Sequence, residues 1–288
     1  VGLTTSGNTT LSSTGTITQS AAITAAGLEL LGSGGAYTLT NTGNSITTFA
    51  GNTGSVSFVE NSGFAIGTVN TVGLTTSGNT TLSSTGTVTQ SQKIAAAGLE
   101  LLGTSGVFTL TTGTNAITTL AANTGTVSFA GNSGFAIGTI GSTTGLTTSG
   151  NTTLSSTGTV TQSAAITAAG LELLGTAGVF TLTNTGNTIT ALAGNTGTVS
   201  FAGNSGFAIG TVNTVGLTTS GNTTLSSTGT VTQSAAITAA GLELLGTGGT
   251  YTLTNTGNAI TTLAGNTGTV SFLENSGFAI GTVNTVGL

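Results

Sequence analysis

The stretch Gly2-Leu3-Thr4-Thr5-Ser6-Gly7-Asn8-Thr9-Thr10-Leu11-Ser12-Ser13-Thr14-Gly15-Thr16 occurs four times, starting at Gly2, Gly73, Gly145 and Gly216, and Gly287 opens a fifth copy. Such a fixed long period, here about 71 residues, is the signature of a repeat architecture in which each unit buries its apolar face against the next. We therefore predict one repetitive domain over residues 1–288. Its parts are four repeats and the start of a fifth, at 1–72, 73–144, 145–215, 216–286 and 287–288.

Outside the shared stretch, apolar residues alternate with hydroxyl residues. Thr38 separates Tyr37 from Leu39, and Ser57 separates Val56 from Phe58. A period of two is typical of a half-buried strand with its apolar side chains inward. Gly and Asn, which favour turns, separate these segments. The segment 24–32 alone could pass for a helix, but it is short and flanked by Gly, so we interpret it as a strand.

Each repeat divides further, and the first divides at 2–23, 24–46 and 47–72. Short strands at regular spacing without a helical period predict an all-β fold, a β-solenoid or parallel β-helix with about three coils per 71-residue repeat. Four phenylalanines at one repeat position are expected in the core. Four glutamines also fall on inward positions of the alternation, so either they lie at a corner or the assignment of inward and outward residues is wrong there. These residues are Phe64, Phe135, Phe207 and Phe278, and Gln19, Gln90, Gln162 and Gln233.

The composition limits the possible functions. Only 2% of the residues are charged, whereas 36% are hydrophobic and the mean hydropathy is +0.40, so the chain can bury a core and is not expected to be disordered. The chain has one Lys and no Arg, whereas a surface that binds the phosphates of a nucleic acid needs several cations, so we predict no nucleic-acid partner. No apolar run reaches the length of a membrane-spanning helix.

Few side chains could carry chemistry. The chain has no His or Cys and all six acidic residues are Glu, so we predict no catalytic, cofactor or metal site, and no enzyme. Lys93 is expected to be a solvated surface residue. A glutamate recurs in Gly-Leu-Glu-Leu-Leu-Gly, where alternation directs it outward, at Glu29, Glu100, Glu172 and Glu243. At every third coil these would lie roughly 14 Å apart, as solvated charges that aid solubility or as weak contacts to a cation or partner.

Two surface motifs allow binding or modification. The sequence Asn-Thr-Thr is a formal glycosylation acceptor, although Asn after Gly is also an ordinary turn residue and could form a ladder between repeats. It occurs at Asn8, Asn79, Asn151 and Asn222. Outward ranks of Thr are a feature of some ice-binding solenoids, but here the matching coils carry Thr16, Ala36 and Ser55, so the rank is mixed.

The recurring Ala-Gly-Leu-Glu-Leu-Leu-Gly and Asn-Ser-Gly-Phe-Ala-Ile-Gly resemble the repeat regions of filamentous-haemagglutinin-type adhesins. The resemblance covers the whole chain. It implies a right-handed parallel β-helix in a giant bacterial surface protein exported by two-partner secretion, which extends binding regions away from the cell.

We therefore expect a structural shaft or fibre segment of an extracellular adhesin or filament, active in cell adhesion or biofilm. Its expected partners are other copies or continuing repeats joined end to end, and host or neighbouring-cell surfaces. The alternative is a surface-binding module that uses its Thr- and Asn-rich faces to bind carbohydrate or ice.

Overall fold

A computed structural model describes residues 2–284, and the chain divides into two compact units, residues 1–149 and 150–288. All regular secondary structure in the described part is β-strand. The first unit contains β1 (Leu3–Thr4), β2 (Asn8–Ser12), β3 (Thr16–Thr18), β4 (Ile23–Leu39), β5 (Ser45–Val59), β6 (Ala65–Ile66), β7 (Leu74–Thr76), β8 (Asn79–Ser83), β9 (Thr87–Gln90), β10 (Ile94–Gly131), β11 (Phe135–Ile137), β12 (Thr139–Ile140), β13 (Thr143–Thr144) and β14 (Leu146–Thr148).

The second unit also alternates short and long strands, but its described strands include no hairpin like β12–β13 and none as long as the 38-residue β10. It contains β15 (Thr152–Ser156), β16 (Thr159–Gln162), β17 (Ile166–Leu182), β18 (Thr188–Gly203), β19 (Phe207–Ile209), β20 (Leu217–Thr219), β21 (Thr223–Ser227), β22 (Thr230–Gln233), β23 (Ile237–Leu253), β24 (Ala259–Phe272) and β25 (Ala279–Ile280). The predicted strand over 24–32 is confirmed, since it lies inside β4.

Within each unit the strands stack in parallel, as the predicted β-solenoid requires. The match of Thr16, Ala36 and Ser55 expected from the sequence is confirmed, because Thr16 pairs with Ala36 and Ala36 pairs with Ser55. One position further on, Ile17, Tyr37 and Val56 pair in the same order. We call such a run of paired residues a column. The exceptions to parallel pairing in the described chain are the hairpin β12–β13 and two isolated bridges inside loops.

One column measures the length of a coil in the first unit. Leu11, Leu30, Gly51, Leu74 and Ile94 pair in succession. One coil therefore takes about 21 residues, near the lower end of what solenoid repeats use. A repeat of about 71 residues holds about three and a half such coils, somewhat more than the three expected from the sequence.

Because a repeat ends half a coil beyond a whole number of coils, equivalent residues of the two repeats in the first unit lie on different faces. Glu29 lies in a column between Thr10 and Ala50, whereas Glu100 continues the column of Ser57 and Thr81. The expectation that neighbouring repeats align these glutamates above one another is therefore wrong. Successive repeats of the first unit place them in different columns.

Leucine and aromatic side chains fill the interior. In the first repeat, Phe49 stacks on Phe58 with ring centroids 4.7 Å apart, and Phe64 meets Phe58 edge-on at 5.3 Å. Phe64, Phe135 and Phe207 are buried as predicted. Phe278 is 39% exposed, contrary to prediction, because no described coil stacks beyond it.

A pair of side-chain amides holds one corner of each repeat, and it explains the glutamines on the inward side. In the third repeat, Gln162 and Asn187 exchange two hydrogen bonds of 2.8 Å. Asn187 also accepts from the Ile166 N–H and donates to the Leu182 and Ala202 carbonyls. Because Asn187 is fully buried, these bonds satisfy polar groups that water cannot reach. The glutamines therefore lie at a corner, the first of the two alternatives.

A second corner depends on glycine. Gly32 has φ 115°, a left-handed backbone conformation that other residues rarely adopt. A Cβ atom there would lie 2.1 Å from the Ser13 carbonyl oxygen, so the two coils approach through bare backbone. Gly103, Gly175 and Gly246 repeat this geometry.

The buried amide pair predicts that Asn187→Asp destabilises the second unit by about 3 kcal/mol or more, since a carboxylate cannot donate and would face three acceptor oxygens. Asn184→Asp is the matched control. The Asn184 side chain accepts a hydrogen bond from the Gly186 N–H in an exposed turn, and Asp can accept it equally well. The Asn184 main chain, which donates to Gln162 Oε1, is unchanged by the substitution, so we expect a change below about 0.5 kcal/mol. Thermal unfolding followed by circular dichroism compares the two variants, and equal shifts would contradict the assigned role.

Candidate functional site: carboxylates under surface loops

The recurring glutamates are the chemical groups that the fold positions most closely. Leu28 and Leu30 are completely buried in the core, so the alternation of β4 directs the Glu29 side chain to the outer face. There it lies beside Thr10 on one neighbouring coil and Ala50 on the other. The outward direction agrees with the sequence analysis.

A loop over residues 67–73 covers this glutamate. It follows Ile66, which pairs with Phe49, and precedes Leu74, which pairs with Gly51. The whole loop thus stands where a single residue would pair with Ala50. The Gly73 N–H donates to the Gly67 carbonyl at 2.8 Å and closes the loop at its base.

The tip of the loop reaches back across Ala50 and binds the Glu29 carboxylate. Asn70 Nδ2 donates to Oε2 at 2.9 Å, and the Thr71 N–H donates to Oε1 at 2.5 Å. From the other side, Thr10 Oγ1 donates to Oε2 at 2.8 Å. Glu29 is consequently only 1% exposed. We call this arrangement the clasp.

An apolar contact seats the same loop. The Val69 side chain lies over Gly27, where a Cβ would be 3.0 Å from Val69 Cγ2 and 2.6 Å from Asn8 Oδ1. Gly27 therefore leaves the space that the loop occupies. The glycine of the Ala-Gly-Leu-Glu sequence is a docking position for the loop.

The third repeat contains the same clasp. Glu172 accepts hydrogen bonds from Thr153 Oγ1 at 2.8 Å, from Asn213 Nδ2 at 2.8 Å, and from both the N–H and the hydroxyl of Thr214 at 2.6 Å. In the fourth repeat, Glu243 accepts from Thr224 at 2.9 Å and from Asn284 at 3.3 Å. The next residue, Thr285, lies outside the described residues.

The second repeat departs from this pattern. Its loop, 138–145, is one residue longer and carries Ile140-Gly141-Ser142-Thr143-Thr144 in place of the Val-Asn-Thr-Val sequence. Thr81 Oγ1 donates to Glu100 at 2.6 Å, but within the described chain no donor of the loop binds this carboxylate. Ile140 holds the loop instead, with its Cδ1 atom 2.8 Å from where a Cβ of Gly98 would be.

The clasp changes the acidity of the carboxyl group that it holds. Burial raises the pKa of Glu29, but the hydrogen bonds from Asn70, Thr71 and Thr10 favour the charged form and outweigh it, so the pKa falls from 4.5 to about 2. The pKa of Glu172 is lowered in the same way: burial opposes ionisation, while Thr214, Asn213 and Thr153 favour it. Both carboxylates are therefore charged at neutral pH and held by neutral donors.

These findings correct the expectation of solvated glutamates. Glu29, Glu100, Glu172 and Glu243 are 1%, 7%, 2% and 1% exposed, so they are not free surface charges. Their side chains point away from the core, as alternation predicted, but a loop covers each outer face. The sequence analysis did not anticipate that cover, because Asn70 and Thr71 lie 41 and 42 positions from Glu29 in the chain.

The other singled-out residues lie apart from the clasps' carboxylates. Asn8, Asn79 and Asn151 are exposed, while Asn222 is half-buried and donates to Asn284 at 3.0 Å. Each Asn stands beside the docking glycine of its own repeat, and glycosylation stays a prediction. Lys93 is exposed, as expected from the sequence.

One shallow groove lies on the first unit. Ala25, Ile46 and Phe64 line its floor, and hydroxyl residues surround them, at Thr24, Ser45, Thr47, Ser62, Thr87 and Thr89. Within residues 2–284 no cluster of three His, Cys, Asp or Glu side chains could hold a metal ion. The same residues contain no helix long and apolar enough to cross a membrane.

Comparison with known proteins gives one match. A family model described as "Repeats of unknown function (DUF5649)" matches residues 1–53. No curated protein and no solved structure matches the chain. The fold and this partial match define a repetitive β-solenoid protein.

The clasp predicts an acid-sensitive surface loop. A carboxyl group whose pKa is lower in the folded chain stabilises the fold above pH 4.5, and this contribution is lost as the pH falls through about 2. We expect the contribution of Glu29 to be about 1–3 kcal/mol at neutral pH. NMR titration of the Glu29 side-chain carbon measures it directly, with an expected midpoint near pH 2.

Thermal unfolding at pH 6 and pH 2 provides the second measurement. In Glu29→Ala the difference between the two unfolding temperatures should shrink, because the group that gains the proton is gone. A Glu29 midpoint near 4.5 in the folded protein would contradict the clasp.

Proposed function

We propose that the chain is a length of structural shaft in a secreted bacterial adhesin or extracellular filament. The observation that supports it best is the internal use of the recurring carboxylates. Glu29 and Glu172 are bound by the chain's own N–H and O–H donors, which lie up to 42 residues away, so these buried carboxylates present no charge to a partner. Such a surface suits a rigid spacer.

The stacked coils support the same proposal. Each coil pairs with the next along its main chain and buries leucine and phenylalanine columns, so stability accumulates with length. We infer that neighbouring coils of other copies, or of a longer chain, join this segment end to end. Host or neighbouring-cell surfaces are further proposed partners, and the proposed location is the bacterial surface or the medium.

The resemblance to filamentous-haemagglutinin-type repeats suggests the export route. A chain with no Cys forms no disulfides that would have to be opened for transport. Export through two-partner secretion is therefore part of this proposal, as is a role without catalysis.

A binding module is the second candidate, and the shallow groove favours it. Hydroxyl groups beside a slightly accessible apolar floor can bind the polar and apolar faces of a sugar, or ordered water. Against it, the outward column of Thr16, Ala36 and Ser55 is mixed, as expected from the sequence.

Electron microscopy and adsorption measurements on the purified chain distinguish the two. A shaft predicts elongated particles or filaments, a reflection near ~4.8 Å from the coil spacing, and no saturable adsorption to glycan arrays or ice. Saturable adsorption that Ser45→Arg in the groove abolishes, and Thr42→Arg in an exposed turn does not, would overturn the shaft in favour of the binding module.

A further inference from the structure

We propose that the clasps set the length of chain released when the solenoid is pulled apart, so that repeats with a clasp open in multi-coil blocks and the second repeat opens coil by coil. The inference rests on the proposed structural function and deepens it. A shaft at a surface carries tension, and the clasps determine how it extends.

The starting point is the behaviour of a solenoid without such contacts. Each coil interacts only with its two neighbours, so unravelling from an end removes one coil at a time. In this chain a coil is about 21 residues long, as the column from Leu11 to Ile94 shows. Fully extended, it would add roughly 70 Å.

The clasp joins coils that are not adjacent in the stack. The Thr71 N–H and Glu29 are 42 residues apart, and Asn70 Nδ2 approaches Thr10 Oγ1, 60 residues away, at 3.5 Å. The coil that contains Glu29 cannot leave until these bonds break. The coil that contains Ala50 lies beneath the loop and is released with them.

The order in which the clasp and the coils break determines the length of chain released in one event. When a strong barrier precedes weaker ones, the force that breaks it also opens the coils behind it. The segment between Glu29 and Thr71 should therefore extend in one event of about 150 Å. The geometry of Glu172 and Thr214 in the third repeat, also 42 residues apart, predicts the same step.

The second repeat provides a comparison inside the same chain. Among the described residues, Glu100 accepts one hydrogen bond, from Thr81, which lies on the adjacent coil, 19 residues earlier. Polar groups of loop 138–145 bind within the loop: Thr139 Oγ1 donates a hydrogen bond to Thr144 Oγ1 at 3.3 Å. Because Ile140 seats this loop and no described loop donor reaches the carboxylate, distant coils are not tied into one block.

Single-molecule pulling on the full chain tests the proposal. The chain contains no Cys, so paired substitutions give unique attachment points. Ser6→Cys with Ser77→Cys brackets the first repeat, and Ser77→Cys with Ser149→Cys brackets the second, all at exposed equivalent positions. We expect one extension step of about 150 Å from the first pair and steps of roughly 70 Å from the second.

Matched variants assign the long step to the clasp. Glu29→Ala should replace the step of about 150 Å with two of about 70 Å, whereas Glu100→Ala should leave all step lengths unchanged. If Glu29→Ala prevents folding, Thr10→Val with Asn70→Ala removes two of the donors and keeps the carboxylate. Coil-sized steps in the first repeat with Glu29 intact, or a long step that survives Glu29→Ala, would overturn the proposal.

This failure would be distinct from failure of the shaft. Saturable adsorption to glycan or ice would count against the shaft without altering the step lengths. Coil-sized steps in every repeat would remove the clasp mechanism and leave the shaft in place.

Discussion

The structure depends on the parallel stacking of each coil on the next in a fixed register. Main-chain hydrogen bonds place most strand residues beside one residue of the following coil, apart from a register shift between Gly32 and Ala36. Inward positions therefore become columns of Leu and Phe, and outward positions become columns of Thr, Ser and Ala. Because register fixes the neighbours, Glu29 has Thr10 on one side and Ala50 on the other. The small alanine leaves the space through which a loop from a later coil reaches the carboxylate.

The near absence of positive charge decides how these carboxylates are stabilised. Removing a charged group from water is costly unless several donors replace the water. The chain has a single Lys and no other cationic side chain, so neutral donors take this role: an amide of Asn70, a main-chain N–H of Thr71 and a hydroxyl of Thr10. The same logic applies at the corners, where Gln162 and Asn187 satisfy one another and the buried main chain. Buried polar groups here connect coils.

Much of the fold follows from sequence. The period of two and the turn residues predict the strands, and the match of Thr16, Ala36 and Ser55 predicts their pairing, which is confirmed. These features are local or recur at short intervals, so alignment of the sub-repeats finds them. The coil count is less accessible, because it depends on recognising that residues 67–73 leave the column and return to it.

The site follows from the sequence only in part: alternation gives the outward direction of Glu29, but its burial depends on Asn70 and Thr71, whose approach is set by the path of a distant loop. A sequence signal does mark that loop, since Val69-Asn70-Thr71-Val72 recurs in the third and fourth repeats and is replaced in the second, whose loop does not bind the glutamate.

The half-integral number of coils per repeat has a consequence for how such a chain can diversify. Duplicating one repeat turns the new copy to a different face from its neighbour, although its residues keep the same partners within the repeat. Adjacent repeats are therefore free to diverge without interrupting a continuous face. The second repeat, with its longer loop and its glutamate outside any clasp, shows this freedom in use.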